Sequence, residues 1–371
     1  MSRIVTLDFE TYYDKDYSLK KLTTESYIRD ERFEVIGVTV KVDDYPTDWF
    51  SGTMEETKDW LHSLSWHEYY LLCHNTAFDG AILKWHFDIK PKFYLDTLSM
   101  SRPITGQSVG GSLAALAKQY NIGQKGTEVI NALGKKRSDF TELELLQYGD
   151  YCKNDTELTY KLFNILKAEI PRKELYIIDL MIRMFTDPVL ELSTETLEKH
   201  LAAVQKKKDL LMERIDQSIG RDALMSNPKF AEVLKKLGVE PPTKISLRTG
   251  KESYAFGKTD SAFKALLDHD DERVQAVVSA RLGIKSTLEE TRTASFIGIS
   301  KRGALPIMLN YYGAHTGRAS GGDKINLQNL PRGGELRKSI RAPKGHLLVA
   351  SDSAQIEARV VAWLILSPRI S

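Results

Sequence analysis

The chain has 371 residues, which exceeds one ordinary hydrophobic core and favours two or three domains. Hydrophobic residues make up 42% and charged residues 27%, and no run of 18 or more apolar residues occurs, which argues against a membrane-spanning helix. A formal net charge of +2 neither favours nor excludes nucleic acid as a partner. The sequence shows no signal peptide, and Cys73 and Cys152 have no paired spacing, so a reduced cytoplasmic protein is expected.

The first part of the chain, residues 1 to about 171, is predicted to be α/β. Apolar and polar residues alternate from Ile4 to Glu10, which is typical of a half-buried strand. Thr141 and Glu144 form a capping box, which predicts a long helix that Pro171 closes. Further elements are predicted as strands over residues 33–42 and 69–73 and a helix over 112–120.

Two carboxylates stand on the first predicted strand. Asp8 and Glu10 are two residues apart, so both side chains leave the same face of the strand. Two adjacent like charges are costly there unless a cation neutralises them. The pair alone is a weak signal, because a solvated strand end would explain it equally well.

Two later motifs supply side chains of the same chemistry. The strand at 69–73 is followed by Asn75, a plausible N-cap, which places Asp79 in the first turn of the next helix. Tyr151 and Asp155 are separated by one helical turn on the long helix. Each motif alone fits a helix cap or a surface pair. Together the four acids and the tyrosine are what a two-metal phosphodiesterase needs, since Mg²⁺ and Mn²⁺ take oxygen ligands.

The set D-x-E, N-x-x-x-D and Y-x-x-x-D resembles the three motifs of the DEDD exonuclease superfamily in its tyrosine subclass. The resemblance covers residues 1–171 and implies a ribonuclease-H-like fold, 3′–5′ hydrolysis and two Mg²⁺ or Mn²⁺ ions. By position, Asp8 resembles the carboxylate that bridges both metals. Glu10 and Asp155 resemble ligands of the metal on the nucleophile side, and Asp79 resembles the ligand of the second metal. Tyr151 matches the residue that orients the attacking water.

The second part of the chain is predicted to be mainly helical over residues 172–300. Apolar residues recur there at helical spacing, first from Leu197 to Ile215 and again from Val274 to Leu282. A glycine-punctuated loop follows at 313–322. Beyond it we predict a strand over Leu347–Ala350 and a helix from about Gln355.

Three segments of this second part resemble family A DNA polymerases. Residues 313–320 read GAHTGRAS and residues 326–331 read NLQNLP, which closely resembles the signature T-G-R-x-S … N-L-Q-N-[IL]-P. Residues 350–359 read ASDSAQIEAR and resemble the first palm motif, with Ser353 and Ala354 departing from the usual Tyr-Ser. Residues 281–287 match the R-x-x-x-K-S-T end of the family's thumb.

The polymerase resemblance implies roles for individual residues. Asp352 matches the first metal ligand of the polymerase site, and Glu357 matches the residue beside the sugar of the incoming nucleotide. Basic groups would grip the DNA backbone and polar groups would contact base or sugar edges. The DNA-binding residues implied in this way are Arg281, Lys285, Arg318, Asn326, Gln328 and Asn329.

The resulting prediction has three domains: a ribonuclease-H-like exonuclease (1–171), a mainly α thumb-like region (172–300) and the start of an α+β palm (301–371). The resemblance implies a proofreading 3′–5′ exonuclease with a partial polymerase domain, closest in outline to phage or prophage enzymes. The palm is expected to be incomplete in this chain, so DNA extension is not expected. DNA is the expected partner, as single-stranded 3′ ends and primer–template, alongside replication accessory proteins and without a membrane. Two alternatives stay open: a stand-alone exonuclease whose second half only binds DNA, and a non-catalytic DNA-binding protein.

Overall fold

The computed structural model describes residues 3–106, 109–126, 132–215, 217–246, 250–285 and 287–366. Its first part is built on a mixed five-stranded sheet in the order β3-β2-β1-β4-β5. The strands are β1 (Ile4–Thr11), β2 (Val35–Val42), β3 (Asp48–Phe50), β4 (Tyr70–Cys73) and β5 (Phe93–Asp96). β1 pairs antiparallel with β2 and parallel with β4, so the strand that carries the first two carboxylates lies at the centre. The three predicted strands are confirmed, and β3 and β5 were not predicted.

Helices cover this sheet. They are α1 (Thr24–Ile28), α2 (Met54–His62), α3 (Thr76–Phe87), α4 (Thr97–Thr105), α5 (Leu113–Gln119), α6 (Glu142–Leu166) and α7 (Arg172–Thr186). The capping box of Thr141 and Glu144 is present at the start of α6, as predicted. The prediction that Pro171 closes this helix is wrong. α6 ends at Leu166, and Pro171 is the N-cap of α7, where its fixed φ suits a helix start.

The first hydrophobic core extends beyond residue 171. Ile178, Ile182 and Phe185 of α7 are buried in the same cluster as the strands of the sheet. Tyr311, much later in the chain, belongs to that cluster too. The packing unit that carries the sheet is therefore larger than the predicted 1–171 segment.

The next part is mainly helical, as predicted. Its elements are β6 (Glu191–Leu192), α8 (Thr194–Glu213), α9 (Arg221–Met225), α10 (Asn227–Lys236), β7 (Thr243–Ile245), β8 (Glu252–Tyr254), α11 (Ser261–Ala265), α12 (Glu272–Lys285) and α13 (Leu288–Arg302). β7 and β8 form an antiparallel hairpin in the turn-rich stretch. The apolar stripe of α12 packs into a second core around Phe230 and Phe263, with Val274 and Val278 completely buried.

The last described part contains short elements. They are β9 (Leu309–Asn310), β10 (Ser320–Gly321), α14 (Glu335–Lys338), β11 (Ile340–Arg341) and α15 (Ile356–Leu366). The predicted helix from about Gln355 is confirmed by α15. The predicted strand over Leu347–Ala350 is wrong: these residues are exposed and have no ladder partner in the described part of the chain, and an unpaired strand is not stable in water. No helix among the described residues is long and apolar enough to cross a bilayer.

Candidate active site

Three elements bring four carboxylates together. Asp8 and Glu10 lie on β1, opposite Thr39 and Gly37 of β2. Asp79 lies in the first turn of α3, which starts just after the carboxyl end of β4, and its Oδ1 accepts a hydrogen bond from the backbone N–H of Phe9 (3.1 Å). This bond fixes the start of α3 against the central strand. Asp8, Glu10 and Asp79 therefore lie on the elements that the sequence motifs predict.

The start of α3 is held in a way that the sequence did not indicate. Asn75 occupies the N-cap position as predicted, but in the left-handed conformation (φ 76°) and without a capping bond from its side chain. Asp96, at the end of β5, instead accepts hydrogen bonds from the backbone N–H groups of Asn75 (2.8 Å) and Thr76 (3.2 Å). Asparagine is one of the few residues other than glycine that tolerates this conformation.

The fourth carboxylate comes from α6. Asp155 is 4% exposed, and a hydroxyl pair of Thr39 and Thr156 (2.5 Å) fixes this helix against β2. Lys125 forms an ion pair with Asp155 Oδ2 at 2.7 Å, and its ammonium lies 5.7 Å from the ring centroid of Tyr151. Tyr151 is half-buried on the same helix, one turn before Asp155.

The electrostatics show that the carboxylates act on one another. Burial, together with the charges of Glu10, Asp79 and Asp155, holds the pKa of Asp8 well above its ordinary value. Burial raises the pKa of Asp79 to about 8, although the backbone N–H of Phe9 opposes this. Burial also raises the pKa of Asp155, against the opposing effect of Lys125. Without added cations, full ionisation of this cluster is unfavourable.

The donor set fits divalent cations that prefer oxygen ligands. Four carboxylates converge, and within the described part of the chain the buried Oδ1 of Asp155 has no hydrogen-bond partner. The described residues contain no group of three or more His, Cys, Asp or Glu side chains already arranged to hold one ion. Lys125 occupies Oδ2 of Asp155, so binding of a cation by that oxygen would require the ion pair to separate.

The structure adds three residues that the sequence analysis missed. Lys125 pairs with Asp155, and Tyr148 and Cys152 donate hydrogen bonds to the two oxygens of Glu10. Tyr148, Cys152 and Asp155 are spaced at i, i+4 and i+7 on α6, so one helical stripe faces the site. That spacing was visible in the sequence. The pairing of Lys125 was not, because it joins two residues that are 30 positions apart.

Among the predicted DNA-binding residues, Arg281 needs a correction. Its side chain is completely buried, with the guanidinium 4.7 Å from the ring centroid of Phe230 and bonded to the backbone carbonyl of Leu224 and to Asn227. Burial lowers the pKa of Arg281 to about 10. A guanidinium in this position cannot reach a phosphate, so Arg281 is a core residue of the helical part. Lys285 is exposed one turn later and donates to Asn227 Oδ1 (2.7 Å).

The signature loop, residues 313–331, is folded tightly on itself. Gly313 leaves no room for a side chain, since a Cβ there would lie 2.2 Å from Ser320 Oγ. Two predicted DNA contacts take part in this fold: Asn326 Oδ1 accepts from the backbone N–H of Gln328 (3.0 Å), and Gln328 Nε2 donates to the carbonyl of Ala319 (3.2 Å). Arg318 and Asn329 are exposed.

The two residues predicted for the polymerase site lie apart from regular sheet structure. Asp352 is exposed in the segment before α15, so the predicted strand that would present it is absent there. Glu357 is in the first turn of α15, and its Oε1 accepts from Arg318 Nη2 at 3.1 Å. This exposed ion pair brings the signature loop and the palm-like motif into contact.

A family model described as a 3′–5′ exonuclease matches residues 2–171. The matched residues include the whole five-stranded sheet and α6. The chain is also similar to the DNA polymerase I of Synechocystis sp., with 26% identity over 322 residues, and to that of Pseudomonas aeruginosa, with 27% identity over 293 residues. These alignments cover 79% and 72% of this chain but 30% of either relative. The chain thus spans less than a third of the length of these relatives.

A solved structure shares the fold over almost the whole chain. It is described as the POL domain of Pol1 from M. smegmatis in complex with DNA primer-template and dNTP, and it covers 98% of this chain and 59% of its own, with a TM-score of 0.59 and 15% identity. The shared architecture extends beyond residues 2–171 into the helical and carboxyl-terminal parts of the chain.

Proposed function

We propose that this chain is a metal-dependent 3′–5′ exonuclease that removes nucleotides from the 3′ end of DNA. The convergence of Asp8, Glu10, Asp79 and Asp155 beside Tyr151 carries the proposal, because burial and the charges of the other three acids raise the cost of ionising Asp8. Burial also raises the cost of ionising Asp155, although Lys125 forms an ion pair with it. Divalent cations would relieve that repulsion.

The four carboxylates would hold two Mg²⁺ or Mn²⁺ ions, which when bound stabilise the attacking and the leaving oxygen of a phosphodiester. Asp8 has the central position for contact with both, since the other three acids all act on its pKa. Glu10 and Asp155 are proposed for the nucleophile side and Asp79 for the second position. Tyr151 is half-buried beside Asp155, where its hydroxyl can orient a water for attack.

For the second part of the chain we propose a thumb and the beginning of a palm that contact primer–template DNA. Support comes from the signature loop, the motif at 350–359 and the fold shared with a polymerase that is described in complex with DNA. The proposed contacts are Lys285, Arg318 and Asn329, which are exposed, with Asn326 and Gln328 shaping the loop, and with Asp352 and Glu357 on the nucleotide side. The alternative is an exonuclease whose second half only binds DNA.

The test uses 5′-labelled single-stranded and primer–template DNA with Mg²⁺ or with EDTA. We expect a Mg²⁺-dependent ladder that shortens from the 3′ end, and no ladder for Asp8→Ala or Asp155→Ala. Asp150→Ala is the matched control, because Asp150 is on the same helix as Asp155 but its side chain is 80% exposed. Circular dichroism checks that all variants fold. Hydrolysis retained by Asp8→Ala or Asp155→Ala would disprove the proposal.

The same DNA substrates separate the two candidates for the second half. Nucleotide binding at Asp352 and Glu357 predicts that a matching deoxynucleoside triphosphate tightens binding to primer–template DNA. An exonuclease with a purely DNA-binding second half predicts no effect of nucleotide. Fluorescence anisotropy with a labelled primer, in Ca²⁺ to suppress hydrolysis, measures the difference.

A further inference from the structure

Both oxygens of Glu10 are held by side chains of α6. The hydroxyl of Tyr148 donates to Oε2 at 2.7 Å, and the thiol of Cys152 donates to Oε1 at 3.3 Å. Tyr148 is 5% exposed and Cys152 is completely buried. Neither residue has a part in the two-metal chemistry, yet each is one of the most enclosed polar side chains around the site.

We propose that Tyr148, assisted by Cys152, is the positioning residue that orients the Glu10 carboxylate for a divalent cation. This inference rests on the proposed exonuclease function. It concerns the affinity and geometry of the metal site and not a group that touches the DNA.

The geometry allows Glu10 to accept both hydrogen bonds from α6 and to bind a cation as well. An ionised carboxylate has about four acceptor positions on its two oxygens, so two donors from α6 leave further lone pairs for a cation. Hydrogen bonds that surround a ligating side chain typically fix its orientation, and their loss typically weakens metal binding by about 10–100-fold. Because the two donors act on different oxygens, they determine the plane of the carboxylate as well as its position.

Tyr148 is itself rigidly held. Its ring lies between Phe140, with centroids 5.8 Å apart, and Trp49, with centroids 6.2 Å apart. Trp49 in turn fits against two glycines, since a Cβ on Gly37 or Gly149 would lie within 2.6 Å of its ring. A hydroxyl fixed in this way cannot follow a displaced Glu10, so the carboxylate must adopt the orientation that the aromatic cluster sets.

The test compares Tyr148→Phe with Tyr160→Phe by electron paramagnetic resonance titration of free Mn²⁺, in the absence of DNA. Tyr160 is on the same helix, and its hydroxyl bonds to Asp44 Oδ1 at 3.1 Å on the surface. We expect Tyr148→Phe to bind Mn²⁺ about 10-fold more weakly and Tyr160→Phe to match the wild type. In the nuclease assay, Tyr148→Phe should need correspondingly more Mg²⁺, with an unchanged KM for DNA and with kcat restored at saturating Mg²⁺.

Cys152 provides a second, independent comparison should Tyr148→Phe fold poorly. Cys152→Ser keeps a donor and should bind Mn²⁺ nearly as well as the wild type, whereas Cys152→Ala should bind it several-fold more weakly. If both Tyr148→Phe and Cys152→Ala bind Mn²⁺ with wild-type affinity, the inference is overturned and the proposed function is not. Tighter Mn²⁺ binding by these variants would also overturn the inference, because it would mean that the hydrogen bonds hold Glu10 away from the cation. Absence of Mn²⁺ binding by the wild type would overturn the proposed function together with the inference.

Discussion

Without divalent cations, the folded chain is expected to lose stability as the pH rises from 6 to 8. One cause is Asp79, whose pKa is raised by burial from 3.8 to about 8. A carboxyl group with a higher pKa in the folded state binds its proton more tightly there than in the unfolded chain. Its contribution is therefore most favourable at low pH and is lost progressively as the pH rises through the range between the two values.

The size of the effect follows from the two pKa values. One proton contributes about 1.4 kcal/mol per pH unit while the folded group is protonated and the unfolded group is ionised. Between pH 6 and 8 the free energy of unfolding should fall by about 2 kcal/mol on account of Asp79, with the last part reduced because the folded group begins to ionise. For a urea dependence of about 2 kcal/mol per M, the midpoint should move by about 1 M.

Urea unfolding in EDTA, followed by tryptophan fluorescence, measures this shift in the part of the chain that contains Asp79. Most of the tryptophans lie in the first part of the chain, at positions 49, 60, 66 and 85, and Trp363 is on the exposed α15. Asp79→Asn should lose about 2 kcal/mol of this pH dependence, while the part that comes from the raised pKa values of Asp8 and Asp155 remains. The variant should be more stable than the wild type at pH 8, and excess Mg²⁺ should reduce the pH dependence of the wild type. Asp59→Asn, on the exposed face of α2, is the control. Equal pH dependence in the wild type and Asp79→Asn would refute this reasoning.

The remaining substitutions test the packing and the DNA contacts. Arg302→Ala removes a bidentate partner (2.8 and 2.6 Å) from Glu25, which is 1% exposed. It should lower the free energy of unfolding by about 2 kcal/mol in urea titrations. An unchanged free energy of unfolding would show that Arg29 suffices as a partner for Glu25. Gly149→Ala places a Cβ 2.6 Å from the ring of Trp49 and should destabilise the chain by about 1–3 kcal/mol in spite of better helix propensity; increased stability would contradict the packing. Lys285→Ala and Arg318→Ala should each reduce the slope of log affinity for duplex DNA against log salt by about 1. Arg281→Ala should leave that slope unchanged and lower stability instead; the reverse pattern would return Arg281 to the DNA surface.

The sequence predicted those features that depend on local chemistry. The alternation at β1, the capping box of α6 and the one-turn spacing of Tyr151 and Asp155 each specify a backbone conformation and a side-chain direction within a few residues. The position of Asp79 in the first turn of α3 was predicted in the same way, from Asn75 as the N-cap. These short rules predicted the element on which each carboxylate lies, and the resemblance to the DEDD exonucleases grouped the four residues into one candidate site.

The features that the sequence did not predict depend on distant partners. Arg281 is a basic residue in a motif that predicts a DNA contact. Only its packing against Phe230 and Phe256 shows that it belongs to a core. The apolar run at 347–350 has strand propensity, but strand formation needs a neighbouring strand to complete the hydrogen bonds. Lys125 pairs with Asp155, 30 positions later in the chain, and no periodicity of the sequence relates the two residues.

Contacts between distant segments also explain why parts of different predicted domains pack together. Lys324, in the signature loop, donates to the carbonyls of Leu19 (3.3 Å), Lys20 (3.0 Å) and Leu22 (2.8 Å) in the first part of the chain. The adjacent Asp323 accepts from the backbone N–H of Glu25 at 3.2 Å. Separation would cost more at the partly buried Asp323 than at the exposed Lys324, because water can replace the partners of an exposed group. The hydrogen bonds of Asp323 and Lys324 therefore connect the signature loop to the part of the chain that carries the carboxylates.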